Sequence, residues 1–378
     1  MQRDLVVLSH LRWVWVWQRP QHLISRIGVD RKVWFVEEPW PTSGVTEPRL
    51  ATEDVGPVTR VWLEVPDLGR HYSFEDGFLD EYVRLLPELI GEADDRISWL
   101  YTPLALDVAR AVEPDVLVYD VMDDLASFKD AAPELVVRQR QALREADVVF
   151  AGGRSLHRSV VVQGRDDAHL FPSGVEPTHY AKARELEVKG DRKVAGYVGV
   201  IDERLDLGLI RDLAAQLPDW EIRMVGPSAK IAEEDLPTAP NITYVGPKPY
   251  DELPEVMAGF DVALMPFALN EATRSISPTK TLEYLAAGLP VVSTQVPDVV
   301  TDFGTCVDLQ DDAAGFADAC VRVAEHSLAR RDETLRPILH RHHWDTIAAR
   351  MADLIEAARS GVVVELDADG LDIEEVSA

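Results

Sequence analysis

Short apolar runs, most of them rich in valine, recur along the chain with helical stretches between them. In the first half they are Asp4–His10, Lys32–Pro39, Val58–Pro66, Ile97–Pro103, Val116–Met122, Val148–Gly153 and His169–Gly174. In the second half they are Val194–Ile201, Glu221–Pro227, Ile242–Pro247, Val262–Phe267, Pro290–Gln295 and Thr305–Leu309. Near-continuous apolar strands alternating with helices are the pattern of parallel sheets covered on both faces. The intervening "LDLGLIRDLAAQLP" carries apolar residues at the 3.6-residue spacing, and "HWDTIAARMADLIEAA" reads as another amphipathic helix near the C-terminus. Between the two series of strands, "PSGVEPTHYAKARELEVKGDRK" is polar and holds two prolines, which marks a break. The pattern therefore predicts an α/β chain of two Rossmann-like domains, at 1–180 and 190–345. Residues 345–378 form a C-terminal helix, which crosses back to the first domain, and an acidic tail. Two such sheets are expected to face a central cleft, with ligands at the carboxyl ends of their strands.

Composition narrows the partners. The chain has 378 residues, a net charge of -28 and a pI near 4.7. That balance excludes nucleic acid, whose binding needs a basic face, and weakens a hold on anionic membrane. Acidity of this kind reads first as solubility or a salty host. Cys306 and Cys320 form no metal or redox motif, which points to a reducing cytoplasm. The opening "MQRDLVVLSH" reads as a strand and not as a signal peptide, and no apolar run nears the roughly 20 residues of a membrane span.

The most informative stretch is "SPTKTLEYLAAGLPVVST", residues 277–294. Ser277 suits an N-cap and Pro278 the first helical position; Gly288 ends the helix and Pro290 forbids its return. Lys280 sits in the first turn, where a capping box would carry Glu and where the helix dipole disfavours a cation by roughly 0.3–1 kcal/mol. An anion docked on the helix N-terminus removes that conflict, since backbone N–H groups and the ammonium then grip it together. Glu283, one turn on, either pairs with Lys280 or reaches past the anion to a hydroxyl. The plainer alternative is a solvent-exposed Lys–Glu pair on an ordinary helix.

This stretch resembles the donor-binding motif of the retaining two-Rossmann (GT-B) glycosyltransferases of group 1, the nucleotide-sugar family with an E-x7-E signature. Other pieces resemble the family in the same order. "HLFPSGVEPTHY" is similar to its interdomain passage and "ADVVFAGGRSL" to the strand and helix before it. "NITYVGPKPYDELPEVMAGFDVALMPF" is similar to its base-binding strand and the elements that follow, and "HHWDTIAARM" to its crossing helix. The resemblance implies that Glu283 binds the donor ribose. It also implies that Ser277, Thr279 and Lys280 hold the diphosphate and that Pro247 lies near the base. Two departures stand out. Ser275 occupies the position of the first Glu, with Glu271 in the longer loop before it as a displaced substitute. "GVIDERLDLG" keeps Gly199 but has Val200 where the family has Arg, with Arg204 close to where its Lys falls. Arg204 and Lys280 are expected to share the diphosphate charge; an ion pair of Arg204 with Asp202 or Asp206 is the simpler reading.

In the first domain, Trp13, Trp15 and Trp17 recur at period two before Gln18, Arg19 and Pro20. That spacing suits a buried strand face. Alternatively, Trp13 and Arg19, with Arg154 of "GGRSLHRS", line an acceptor site in which a Trp stacks on a sugar or lipid. His10 ends the first strand and Asp120 the fifth, near Asp123 and Asp124. The three aspartates invite a D-x-D metal reading, but the resemblance implies a metal-independent enzyme without cofactors, and capping of the next helix also suits Asp123 or Asp124. His10, Asp120 and Glu271 are the expected catalytic groups, orienting sugar and acceptor.

The function expected is transfer of a sugar, with retention, from a UDP- or GDP-linked donor to a saccharide or glycolipid acceptor in surface polysaccharide or glycolipid synthesis. The enzyme is expected in the cytoplasm, at the inner face of the cell membrane where it makes peripheral contact. Two other functions fit the same architecture: a nucleotide-sugar 2-epimerase, and a catalytically degenerate GT-B scaffold.

Overall fold

A computed structural model describes residues 2–70, 72–74, 77–125, 134–186, 188, 190–270, 273, 279–325, 332–362, 365–366 and 373–374. The chain forms two compact units. One is Met1–Pro172 with Asp345–Ala378; the other is Ser173–Trp344.

The first unit is built on nine strands: β1 (Arg3–Ser9), β2 (Lys32–Glu37), β3 (Trp40–Thr42), β4 (Arg49–Val55), β5 (Val58–Pro66), β6 (Asp95–Leu100), β7 (Val116–Val121), β8 (Val148–Ala151) and β9 (His169–Leu170). Their order is β3-β5-β2-β1-β6-β7-β8-β9, with β4 beside β5. Leu5, Val6, Val7 and Leu8 of β1 are all fully buried, so both faces of this central strand are covered, as its unbroken apolar run predicts. The sheet departs from an all-parallel one at β4, which runs antiparallel to β5 in the register Arg49↔Glu64 to Val55↔Val58. The sequence "RLATEDV" gives no apolar signal because it is a largely exposed edge strand. Helices α1 (Arg19–Ile27), α2 (Leu79–Ile90), α3 (Leu106–Ala111), α4 (Glu134–Glu145) and α5 (Arg154–Val162) belong to this unit.

The second unit carries β10 (Val194–Val198), β11 (Glu221–Val225), β12 (Ile242–Gly246), β13 (Val262–Met265), β14 (Val291–Ser293) and β15 (Asp308–Leu309), all parallel, in the order β12-β11-β10-β13-β14-β15. Strand order reverses between β10 and β13. Such a switch point opens a crevice beyond the strand ends, and α/β sheets bind ligands there. The helices are α6 (Pro177–Ala181), α7 (Leu207–Gln216), α8 (Leu253–Ala258), α9 (Thr279–Ala286), α10 (Pro297–Phe303), α11 (Ala313–Ala324) and α12 (Asp332–Arg341). The last helix, α13 (Trp344–Ser360), lies almost entirely in the first unit, where Arg26 pairs with Asp345 and Arg359 with Asp95.

The division falls at Pro172/Ser173, the first peptide bond of the polar linker read from the sequence, so most of that linker belongs to the second unit. The reason is local: residues 175–185 pack on the donor-motif helix. Arg184 donates to the carbonyls of Ala286 and Leu285 at the end of α9, and Val175 forms a bridge with His343.

Candidate donor site in the second unit

Three glycines line the carboxyl ends of β10, β11 and β12. The Gly199 N–H donates to the Val225 carbonyl and the Gly226 N–H to the Gly246 carbonyl, each at 2.9 Å. A Cβ on Gly226 would lie 1.9 Å from the Gly199 carbonyl oxygen, so these two strand ends approach as only glycine allows. The result is a backbone shelf with no side chain rising from it.

Across that shelf lies Lys280. A Cβ on Gly199 would come within 2.5 Å of its Cε and 2.6 Å of the Tyr197 hydroxyl. The lysine of the first turn of α9 is therefore aimed at the switch point. Its ammonium is 3.4 Å from the Glu283 carboxylate, and the two side chains are only 29% and 12% exposed, so this is not a solvated surface pair. The helix is fixed from below. Tyr284 is fully buried and its hydroxyl accepts from the Val198 N–H at 2.8 Å, while the Thr281 hydroxyl meets the Met265 sulfur at 3.1 Å. Gly288, at φ +81°, ends the helix as the sequence predicts.

Arg204 sits in the loop after β10. Asp202 holds its guanidinium through both carboxylate oxygens, at 2.6–3.0 Å. The Arg204 carbonyl accepts from Ala268 and the Pro266 carbonyl from Asp206, tying this loop to the end of β13. Tyr197 lies within electrostatic range of Arg204, Asp202 and Glu283; burial, eased by Arg204, holds its phenol well above the usual range. Pro247 is exposed just beyond β12, and Thr279 is half-buried at the start of α9. Ser277 and Glu271 lie outside the described residues.

Two tyrosines here have no part in the sequence reading. Tyr180 of α6 is buried, and burial and then the nearby Glu283 charge hold its phenol well above the usual range, while Tyr250, at the end of the Pro-rich "GPKPY" turn, donates to Glu176. A tyrosine closing each of two polar, proline-bearing passages is the only signal the sequence offers for them.

In the first unit the expected acceptor and catalytic residues are placed differently. Arg19 and Asp120 are 2% and 0% exposed and bind each other through two hydrogen bonds of 2.9 and 2.8 Å; Arg19 also donates to the Phe171 carbonyl at 2.8 Å. Burial opposes charge on Arg19, yet the adjacent Asp120 carboxylate more than offsets it, and the guanidinium is held above its usual pKa. Trp13 is no strand residue. It lies in a loop, its ring buried edge-on against Phe35 and Trp17, and its backbone N–H donates to the Glu37 carboxylate. The exposed aromatic surface belongs to Trp15 (52%), Trp17 (40%) and Trp40 (51%), the last with the Arg12 guanidinium 4.6 Å above its ring. His10 follows β1 directly, half-buried, and Arg154 opens α5 after Gly153.

Two α/β units, the second with a switch point floored by glycine backbone and edged by a helix that turns a lysine inward, define a fold of the GT-B kind. Residues 192–326 match the family model "Glycosyl transferases group 1", so the second unit carries a group 1 glycosyltransferase domain. Over 203 residues the chain is 31% identical to TuaH of Bacillus subtilis (strain 168), a provisionally assigned teichuronic acid biosynthesis glycosyltransferase. That match covers 48% of this chain and 51% of the relative. It is 28% identical over 287 residues to a D-inositol 3-phosphate glycosyltransferase of Corynebacterium urealyticum, covering 68% of this chain and 65% of the relative. The chain thus spans about half to two thirds of the length of these relatives. Its fold matches an α,α-trehalose-phosphate synthase (UDP-forming) of Burkholderia xenovorans solved with glucose-6-phosphate. The TM-score is 0.65 at 15% identity, over 94% of this chain and all of the other.

Proposed function

We propose that the protein is a glycosyltransferase whose donor is a nucleoside diphosphate sugar, bound in the second unit. The observation that carries this reading is Lys280, laid over Gly199 at the switch point and half-buried beside Glu283. The diphosphate lies against the first turn of α9, with Lys280 and Arg204 supplying charge. The ribose diol donates to Glu283, and the base lies along Gly246 to Tyr250. Loss of the nucleoside diphosphate builds negative charge on the leaving oxygen. Fixed cations and backbone dipoles already aimed there stabilise that charge without reorganising. UDP is the first choice of leaving group, on the analogy of the UDP-forming synthase, with GDP as the comparator.

The acceptor reading rests on the first unit. Arg19 and Asp120 are committed to each other and act as a clamp between α1, β7 and the chain after β9. Contact with a saccharide or glycolipid falls to Trp15, Trp17 and Trp40, whose exposed rings suit stacking on a sugar face. His10, the first residue beyond β1, and Arg154 orient the acceptor. Likeness to the teichuronic acid relative favours a surface polysaccharide as product, made with retention at the anomeric carbon. Among the described residues no helix is long and apolar enough to cross a membrane.

The test is calorimetry with UDP- and GDP-sugars on wild type, Lys280→Ala and Glu283→Ala. Each variant is expected to weaken binding by about ten- to a hundred-fold, the worth of a charge-assisted hydrogen bond. Unchanged affinity in both, for a donor that wild type holds, would remove the site assignment.

A further inference from the structure

The two cations that the donor reading gives to the diphosphate are each paired with a carboxylate close by in sequence. Lys280 faces Glu283 within α9, and Arg204 is bound by Asp202 in the loop after β10. The second pair is the tighter. The buried Asp202 carboxylate accepts from the Arg204 backbone N–H at 3.0 Å, from Nε at 2.9 and 3.0 Å, and from Nη2 at 2.6 Å. The fork is made by Nε and Nη2, so the edge that carries Nη1 is turned away from Asp202. The turn does not need this fork to keep its shape. The Ile201 N–H donates to the Pro227 carbonyl and the Ile201 carbonyl accepts from Ala229, both beyond β11. Leu205 donates to the Asp202 carbonyl, and the Arg204 carbonyl accepts from Ala268 beyond β13. With one residue between them in a turn fixed on both sides, Asp202 stays beside Arg204 when a ligand arrives.

We propose that Asp202 is a specificity-determining residue that sets the charge of the donor site: by offsetting Arg204, it lets the site hold the intact nucleotide sugar and release the nucleoside diphosphate. The inference rests on the reading of this crevice as the donor site. An intact donor carries one negative charge on each of its two phosphates. When the sugar leaves, the electron pair of the broken C–O bond stays on the terminal phosphate, which gains roughly one further charge near neutral pH. Attraction scales with ligand charge, so two uncompensated cations would grip the product harder than the donor. With a carboxylate beside each cation, the four side chains carry no net charge. The edge of Arg204 turned from Asp202 still offers directed N–H groups, while the added charge of the product gains little.

The experiment is calorimetry at low salt with UDP beside UDP-glucose and GDP beside GDP-mannose. The proteins are wild type, Asp202→Asn, Arg204→Gln and their double variant, with Lys280→Ala and Glu283→Ala as controls. The quantity read is the affinity for the diphosphate divided by that for its sugar. Asp202→Asn keeps the size of the side chain and an acceptor for the Arg204 N–H. It should raise the ratio about three- to ten-fold, the order expected when one charge is removed beside a partly solvated anion. Added salt should shrink that gain, because charges in an open crevice are screened. A ratio that is unchanged or lower, or a gain that salt leaves untouched, would overturn the proposal. The double variant should bind the diphosphate more tightly than Arg204→Gln alone, since it lacks the lone carboxylate. Equal affinities would mean that Asp202 acts only by placing Arg204, and this comparison holds even if Asp202→Asn alone does not fold. If the controls weaken binding and the Asp202→Asn ratio stays at the wild-type value, the charge-setting role fails and the donor reading stands. If neither control changes either affinity, or wild type holds neither pair, both fail together.

Discussion

The Arg19–Asp120 pair allows a quantitative test of whether those residues serve chemistry or architecture. Both side chains are essentially out of solvent, with two hydrogen bonds between them and a third from Arg19 to Phe171. Removing one partner strands the other charge in the interior, at a cost of about 3–5 kcal/mol. Replacing both with apolar residues of similar size leaves no stranded charge and is often near neutral. Arg19→Met and Asp120→Leu should therefore each destabilise the first unit by about 3–5 kcal/mol, and the double variant by less than either. For a unit of about 200 residues this corresponds to roughly 6–20 °C for each single change, at ~2–4 °C per kcal/mol. Urea unfolding followed by tryptophan fluorescence suits the purpose, because Trp13, Trp15, Trp17, Trp34, Trp40, Trp62 and Trp99 all lie in this unit and only Trp220 and Trp344 in the other. A double variant whose loss equals the sum of the singles would show no coupling and refute the clamp. So would single variants as stable as wild type but inactive, which would return the two residues to a catalytic role.

Gly199→Ala should displace Lys280, because the new Cβ meets its Cε at 2.5 Å and the less yielding Tyr197 hydroxyl at 2.6 Å; donor affinity measured by calorimetry should fall about ten-fold with the fold intact by circular dichroism. His179 is kept below the usual histidine pKa, chiefly by burial, partly countered by the Tyr250 carbonyl. The unfolded chain therefore binds the extra proton first, and stability is lost as pH falls below about 6.5. His179→Phe, which keeps the ring stacked on Tyr250, should flatten that acid limb in urea midpoints taken at pH 7 and pH 5; an unchanged limb would assign it to other groups, His169 among them, whose pKa burial also lowers.

The sequence was legible where burial on both faces forces unbroken apolar runs. Thirteen such runs coincide with strands, and Val58–Pro66 matches β5 residue for residue. It was silent at β4, because an exposed edge strand needs no apolar face, and it misled at Trp13–Trp17, where period two describes a loop with one ring buried and two exposed. Lys280 could be singled out because a cation in a first helical turn conflicts with the dipole. The orientation of its side chain could not, since that depends on Gly199, some eighty residues earlier. Arg19 and Asp120 show the same limit. Each sat at the end of an element, where ligand contact is plausible, yet their bond links positions 101 residues apart and leaves no local trace.

The first unit is completed by α13, whose Met351, Leu354 and Ile355 are buried and whose Arg359 reaches Asp95. The second unit is one continuous stretch. On the ribosome the usual order of N-terminal domain first is then reversed. Ser173–Trp344 can close while the earlier sheet still waits for its final helix to be made. A nascent chain halted before α13 would carry a folded second unit tethered to a first unit still lacking its closing helix.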